Sequence, residues 1–208
     1  DPVPAIHTGR NIRQCGLTAD IRQVWWVKSV ISRVEGRQRG TNGLEERCDL
    51  RDIQLIKSGM IWVMSILRKI NEHWGWTGLK AIEILGRNEF GNFLVLDEKQ
   101  NYWRICPEEL TCEVVAENRQ AYLQRVNSED FQEDWKMSNV VELARKHLGR
   151  LKAHRAYYLV IPGVLGGRYD TSNIRTAPLE ELIGHSGDLA LAIKDLPDGA
   201  QIELRVID

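Results

Sequence analysis

The sequence predicts an α+β fold: a mostly antiparallel sheet of five or six strands with helices packed on it, preceded by a weakly structured leader. Three observations carry this reading. Strand-like segments follow one another over 80–115 with only short polar loops between them. Such neighbours must be antiparallel, because parallel strands need a long crossover. Two later stretches, 128–148 and 179–196, place apolar residues at helical spacing. A last alternating segment, 201–207, carries Ile202, Leu204 and Val206 on one side and returns the chain to the sheet.

The elements follow in order from local chemistry. Ser65 is positioned to cap a helix over 66–74, with Ile66, Ile70 and Trp74 on one side and Gly75 ending it. Residues 80–85 alternate, with Ile82 and Ile84 on the inner face, and 86–91 is a turn. Residues 92–97 are apolar on both faces, as a central strand requires. A polar hairpin loop at 97–101 leads to a strand over 102–106, Pro107 to Leu110 turn the chain, and 111–115 is a further strand. The helical stretch 128–148 is acidic at its start (Glu129, Asp130, Glu133, Asp134) and basic at its end (Arg145, Lys146), as the helix dipole favours. Phe131 and Trp135 lie on a different face from Met137, Val140, Val141, Ala144 and Leu148, so a break is expected near Ser138, with Ser138 capping the second helix and Gly149 ending it. A strand over 157–161 opens a long loop, 162–173, that holds Gly163, Gly166 and Gly167. Pro178 suits the first turn of the next helix, which keeps its apolar phase through Gly184 and Gly187 and is expected as one bent helix or two in line.

Composition narrows the class. The chain has 208 residues, 43% apolar and 27% charged, which fits an ordinary globular protein and excludes collagen-like and fully disordered chains. The apolar run 59–67 is too short to span a bilayer, so no membrane partner is expected. No signal-peptide pattern is present, and the four cysteines are too few for a disulfide framework in a chain this long. A cytoplasmic location follows as an expectation. Net charge is −1, which gives no support to direct nucleic-acid binding.

That near-neutral charge is the sum of two unlike parts. Residues 1–63 hold ten basic and seven acidic side chains, whereas 64–208 hold eighteen and twenty-two, a net −4. The first part is weakly patterned, and the first methionine of the chain is Met60, followed by Met64. It reads either as a leader foreign to the native protein or as a genuine basic arm. Its best segment, 21–34, places Ile21, Val24, Trp25, Ile31 and Val34 at roughly helical spacing, and a basic amphipathic helix of this kind can bind a membrane surface or a partner.

Residues that carry chemistry are scattered. Cys106 and Cys112 have no second cysteine pair nearby and read as buried free thiols, and no two of the five histidines have metal-ligand spacing. No cofactor, metal or catalytic residue is therefore assigned. His185 and Asp188 lie within reach of each other but read as a polar helix face. The glycine loop after the 157–161 strand invites comparison with a phosphate-binding loop, yet it lacks the Gly-Lys-Ser/Thr ending. The carboxylate pairs Glu108-Glu109 and Glu180-Glu181 read as solvated turn and helix surface. Of Trp74, Trp76, Trp103 and Trp135, most belong to the core and one or two are candidate exposed anchors.

A series of short motifs then stands out. It comprises Gly75-Trp-Thr-Gly78, Asn88-Glu-Phe-Gly-Asn92, Tyr102-Trp-Arg-Ile-Cys-Pro-Glu-Glu109 and Asp134-Trp135. These are followed by Ile161-Pro-Gly-Val-Leu-Gly-Gly167, Tyr169-Asp170 with Asn173, Leu179-Glu-Glu-Leu-Ile183, Ser186-Gly-Asp188 and Ile193-Lys-Asp-Leu-Pro-Asp-Gly199. In this order they resemble the immunity-protein domain paired with type VI secretion DNase effectors, which in many relatives follows a GAD-like domain. The resemblance covers about 64–208, and members often begin near a sequence like that at Met64. The leader over 1–63 does not resemble a GAD-like domain.

The resemblance implies binding rather than catalysis: a cytoplasmic protein that holds and blocks a cognate effector, a DNase. A DNase groove is basic because it holds phosphates, and a domain of charge −4 complements it. Loops presented by a rigid sheet commonly carry function, so the 163–173 loop is the candidate contact region, with Arg168, Tyr169, Asp170 and Asn173 as the partner-binding residues. Two other readings stay open: a small enzyme or ligand-binding domain using the 163–173 loop, and a regulator whose basic leader contacts DNA or a membrane.

Overall fold

Asn71 fixes how the sheet begins. Its amide donates to the Ala81 carbonyl (2.9 Å) and accepts from the Ala81 N–H (2.7 Å), tying a helix to the first strand ten residues later. The computed structural model describes residues 50–197 and 199–200. The basic segment 21–34 and the closing strand 201–207 lie outside the described residues. The chain divides into two compact units, Asp1–Met64 and Ser65–Asp208, and the following concerns the second.

Helix α1 is Leu50–Trp74. The expected start at Ser65 is therefore corrected. Ser65 sits in the helix interior, where backbone donors are already paired and its capping capacity has no use. Ile66, Ile70 and Trp74 form the buried stripe, as their spacing predicts. A single 3₁₀ turn, Gly75–Thr77, leads out, and Gly78 takes a left-handed conformation at φ 95°.

Four antiparallel strands follow in the order of the chain: β1 (Ala81–Arg87), β2 (Phe93–Asp97), β3 (Tyr102–Cys106) and β4 (Thr111–Ala116). β2 lies inside the sheet and is buried along its whole length, matching its two-faced apolar run. β1 departs from the alternation expected of it. Its pairing with β2 is irregular between Ala81 and Glu83 and again between Ile84 and Gly86. Such bulges break the period-two pattern, so Ile82 is half exposed (50%) rather than on an inner face. β1 also extends into the segment expected to turn, and the reversal lies at 88–92, where the Asn88 side chain accepts from the N–H groups of Phe90 and Asn92 (both 3.0 Å). Gly91 is required there: at φ 78°, a Cβ would lie 2.8 Å from Leu182.

Helix α2 (Arg119–Val126) was not expected; Asn118 caps it by accepting from the Ala121 N–H. α3 (Glu129–Lys136) and α4 (Ser138–Leu148) confirm the predicted break, but its cause differs. Met137, left-handed at φ 47°, separates the helices, and Ser138 makes no capping bond. Gly149 ends α4 as predicted.

β5 (Arg155–Leu159) and β6 (Ile174–Pro178) pair antiparallel as a separate two-stranded sheet. The six strands described thus form two sheets rather than one, and the α+β class stands. Pro178 ends β6 and precedes α5 (Leu179–Ile193), which is one helix and not two in line. Gly184 and Gly187 let α5 approach α1 closely: a Cβ at Gly187 would lie 2.6 Å from the His73 carbonyl oxygen. Trp74 completes the contact, donating from Nε1 to the Ile183 carbonyl at 3.1 Å. Phe90, Val141, Ala144, Tyr157, Leu159 and Ile174 form a further core cluster, joining α4 to the second sheet.

Candidate functional site

The turn from β3 to β4 carries two carboxylates with opposite fates. Glu108 points inward and is only 5% exposed, which corrects the reading of the Glu108-Glu109 pair as solvated surface. A buried carboxylate must find hydrogen-bond donors. Glu108 receives them from the Asn92 amide, whose Nδ2 lies 2.6 and 2.8 Å from its two oxygens. Burial raises the Glu108 carboxyl above the usual glutamate range, with the Asn92 bond and the Arg104 charge opposing it.

Asn92 faces both ways. Its Oδ1 accepts from Arg104 Nε (3.2 Å) and from one terminal guanidinium nitrogen (3.0 Å). Arg104 in turn pairs with Asp134 of α3. Its guanidinium lies 5.8 Å from the Phe131 ring centre and 5.9 Å from that of Trp135, within range of a cation–π contact. One polar chain, Glu108–Asn92–Arg104–Asp134, therefore runs from the β3–β4 turn through the sheet to α3. Among the described residues, no buried side-chain nitrogen or oxygen is left without a partner.

Above this chain opens a cleft of about 300 Å³, lined among others by Arg104, Glu109, Glu113, Asp134, Met137 and Tyr169. Four carboxyl groups, with Glu108 the fourth, and one guanidinium at its walls make it acidic. Cys106 lines it as well. Burial, then the Glu108 charge, pushes the Cys106 thiol far up, and burial pushes Cys112 up to about 11. Neither has the lowered pKa of a nucleophilic cysteine. Among the described residues, no group of three metal-ligating side chains is placed to hold an ion.

The 163–173 loop forms the rim of the cleft. The Gly163 N–H donates to the Glu108 carbonyl at 2.7 Å, and a Cβ at Gly163 would lie 2.2 Å from Glu109 Oε1. The Tyr169 hydroxyl donates to Glu109. Burial and that carboxylate push the Tyr169 pKa well up, so the hydroxyl keeps its proton. The loop is also closed upon itself. The Gly167 N–H donates to the Pro162 carbonyl at 2.9 Å, and a Cβ at Gly167 would collide with the Ile161 carbonyl oxygen at 1.7 Å.

The four loop residues singled out from the sequence fall into different places. Arg168 is exposed and Tyr169 is 36% exposed at the cleft edge. Asp170 accepts from the Ser172 N–H (2.9 Å) and hydroxyl (2.5 Å), bonds that hold its carboxyl below the usual range. Asn173 is buried. It accepts from the Ile161 N–H (2.9 Å) and donates to the carbonyls of Ile161 (2.8 Å) and Arg168 (3.0 Å). Asn173 thus braces the loop from inside, while Arg168 and Tyr169 stand at its surface.

Two other sequence readings resolve here. Asp188 bonds to His73 Nδ1 at 2.8 Å, across the α1–α5 contact, instead of to His185. Trp74 is fully buried, whereas Trp76 is 39% exposed. The network of Asn92, Arg104, Glu108 and Asp134 was not found in the sequence. An arginine between Trp103 and Ile105 in a strand packed on both sides is the signal that marks it, since such a charge needs buried partners.

Comparison with known proteins bears on this region. The model of the family described as T6SS immunity protein Tdi1, C-terminal, matches residues 116–190. That stretch runs from the end of β4 into α5 and contains Asp134 and the whole 163–173 loop. No protein of curated function matches the chain. The crystal structure of Atu4351 from Agrobacterium tumefaciens is similar over 61% of this chain at 20% identity and a TM-score of 0.42, and the chain covers 64% of that protein's length. The match over 116–190 is to the immunity-protein family that the sequence motifs pointed to.

Proposed function

We propose that the protein is a cytoplasmic immunity protein that binds a cognate type VI secretion effector, a DNase, and blocks it in the producing cell. The match over 116–190 to an immunity-protein family carries this reading. The site supports it, because a self-braced loop with Arg168 and Tyr169 at its surface, beside an acidic cleft, suits recognition of a basic protein. The role is binding without chemistry. Arg168, Tyr169 and Asp170 are the proposed contacts, and Asn173 holds them in position. Among the described residues, no helix is long and apolar enough to cross a membrane.

The test is co-expression with the cognate effector. Cells carrying both survive on this reading, and cells carrying the effector alone die. Equal death with and without the protein removes the immunity reading.

A further inference from the structure

The crest of the loop beside the cleft exposes more apolar surface than folding explains. Val160 (50%), Ile161 (44%), Val164 (54%) and Tyr169 (36%) are exposed within ten residues. Contiguous exposed apolar groups with a polar border mark interaction sites. The backbone that presents them is fixed by the Asn173 side chain, the Gly163–Glu108 bond and the Gly167–Pro162 bond. A surface already fixed in this way loses little conformational freedom on binding. Tyr169 lines the cleft together with Glu109, Glu113 and Asp134, and Gly163 lies against Glu109, with Arg104 committed to Asn92 and Asp134.

We propose that this composite face is where the partner docks. An apolar patch of the effector covers Val160, Ile161 and Val164, and a neighbouring arginine or lysine of the effector enters the cleft. The Tyr169 ring forms one wall for the stem of that side chain. Glu109 and Glu113 supply the counter-charge, with Glu113 opposite Arg104 in the β3–β4 register. The chemistry recognised is a cation flanked by apolar groups, as a basic nuclease surface offers. This assignment rests on the immunity reading and specifies its surface.

The experiment uses the full chain and the purified cognate effector, inactivated at its nuclease centre. Binding affinity is measured for the unaltered protein, Val164→Asp, Glu113→Lys and Glu98→Lys. Glu98 lies in the β2–β3 turn, at the other end of β3 from the β3–β4 turn, and pairs with exposed Lys80. Val164→Asp and Glu113→Lys are each expected to weaken binding by roughly tenfold or more, and Glu98→Lys by less than about twofold. Melting temperatures verify folding, and Val164→Ala replaces Val164→Asp if the latter fails to fold. If the unaltered protein binds and both cleft-side variants bind equally well, the docking face is overturned while the immunity reading stands. If the unaltered protein does not bind at all, both are overturned.

Discussion

Replacing Asn92 by alanine removes the central member of the buried chain and leaves two charged groups short of partners. Glu108 loses the donor lying 2.6 and 2.8 Å from its oxygens, and Arg104 loses the acceptor at 3.0 and 3.2 Å. Hydrogen bonds to charged groups contribute about 1.5–3 kcal/mol each, and stranding a buried charge costs about 3–5 kcal/mol. Arg104 keeps Asp134, so the expected loss at pH 7 is about 3–4 kcal/mol. In a domain of this size that lowers the melting point by about 2–4 °C per kcal/mol. The pH dependence identifies the cause. The folded-state pKa of Glu108 is already raised above the ordinary 4.5, so its contribution to stability is complete below that value and declines as pH rises through the folded pKa. Without Asn92 the folded pKa rises further and the window widens. The difference between the two proteins therefore grows from pH 4, where the part due to Arg104 remains, toward pH 7. Urea unfolding at both pH values measures it. A loss below about 1 kcal/mol at pH 7, or one of equal size at both pH values, refutes the role given to Asn92.

Three further outcomes are expected. Gly187→Ala places a methyl 2.6 Å from the His73 carbonyl oxygen and is expected to destabilise the protein by about 1–3 kcal/mol in denaturant unfolding, since two helix backbones must move apart. Asn173→Ala removes three bonds within the loop; it is expected to cost about 1–3 kcal/mol of stability and to increase amide exchange at Ile161 ahead of the β2 core amides. Cys106 and Cys112 are expected to resist a thiol-directed alkylating reagent at pH 7 in the folded protein, with residue-resolved mass spectrometry as the readout, and to label readily once unfolded.

The sheet was legible in the sequence where local pattern and burial coincide. β2 declared itself by an apolar run, and β3 and β4 by short polar turns that leave no room for a crossover. β1 was read with the wrong inner face because two pairing irregularities, invisible in a period-two count, turn Ile82 outward. α2 escaped because Arg119–Val126 is largely polar and fully buries none of its side chains. β6 escaped because Ile174 is its one buried residue, so it reads as the tail of a loop. The site shows the same division. The loop was found through its glycines, a local signal. The Glu108 network was not, because its members lie 12 to 30 residues apart and only the β2–β3 pairing and α3 bring them together. The family match depends on residues at many positions jointly, which explains why it was readable before any single contact was.

The most direct test of the central claim is a nuclease assay with purified components. Plasmid DNA is mixed with the active cognate effector, and increasing amounts of this protein are added. The account predicts that cleavage stops once the protein is in molar excess over the effector. Cleavage at an unchanged rate in the presence of excess folded protein would contradict it.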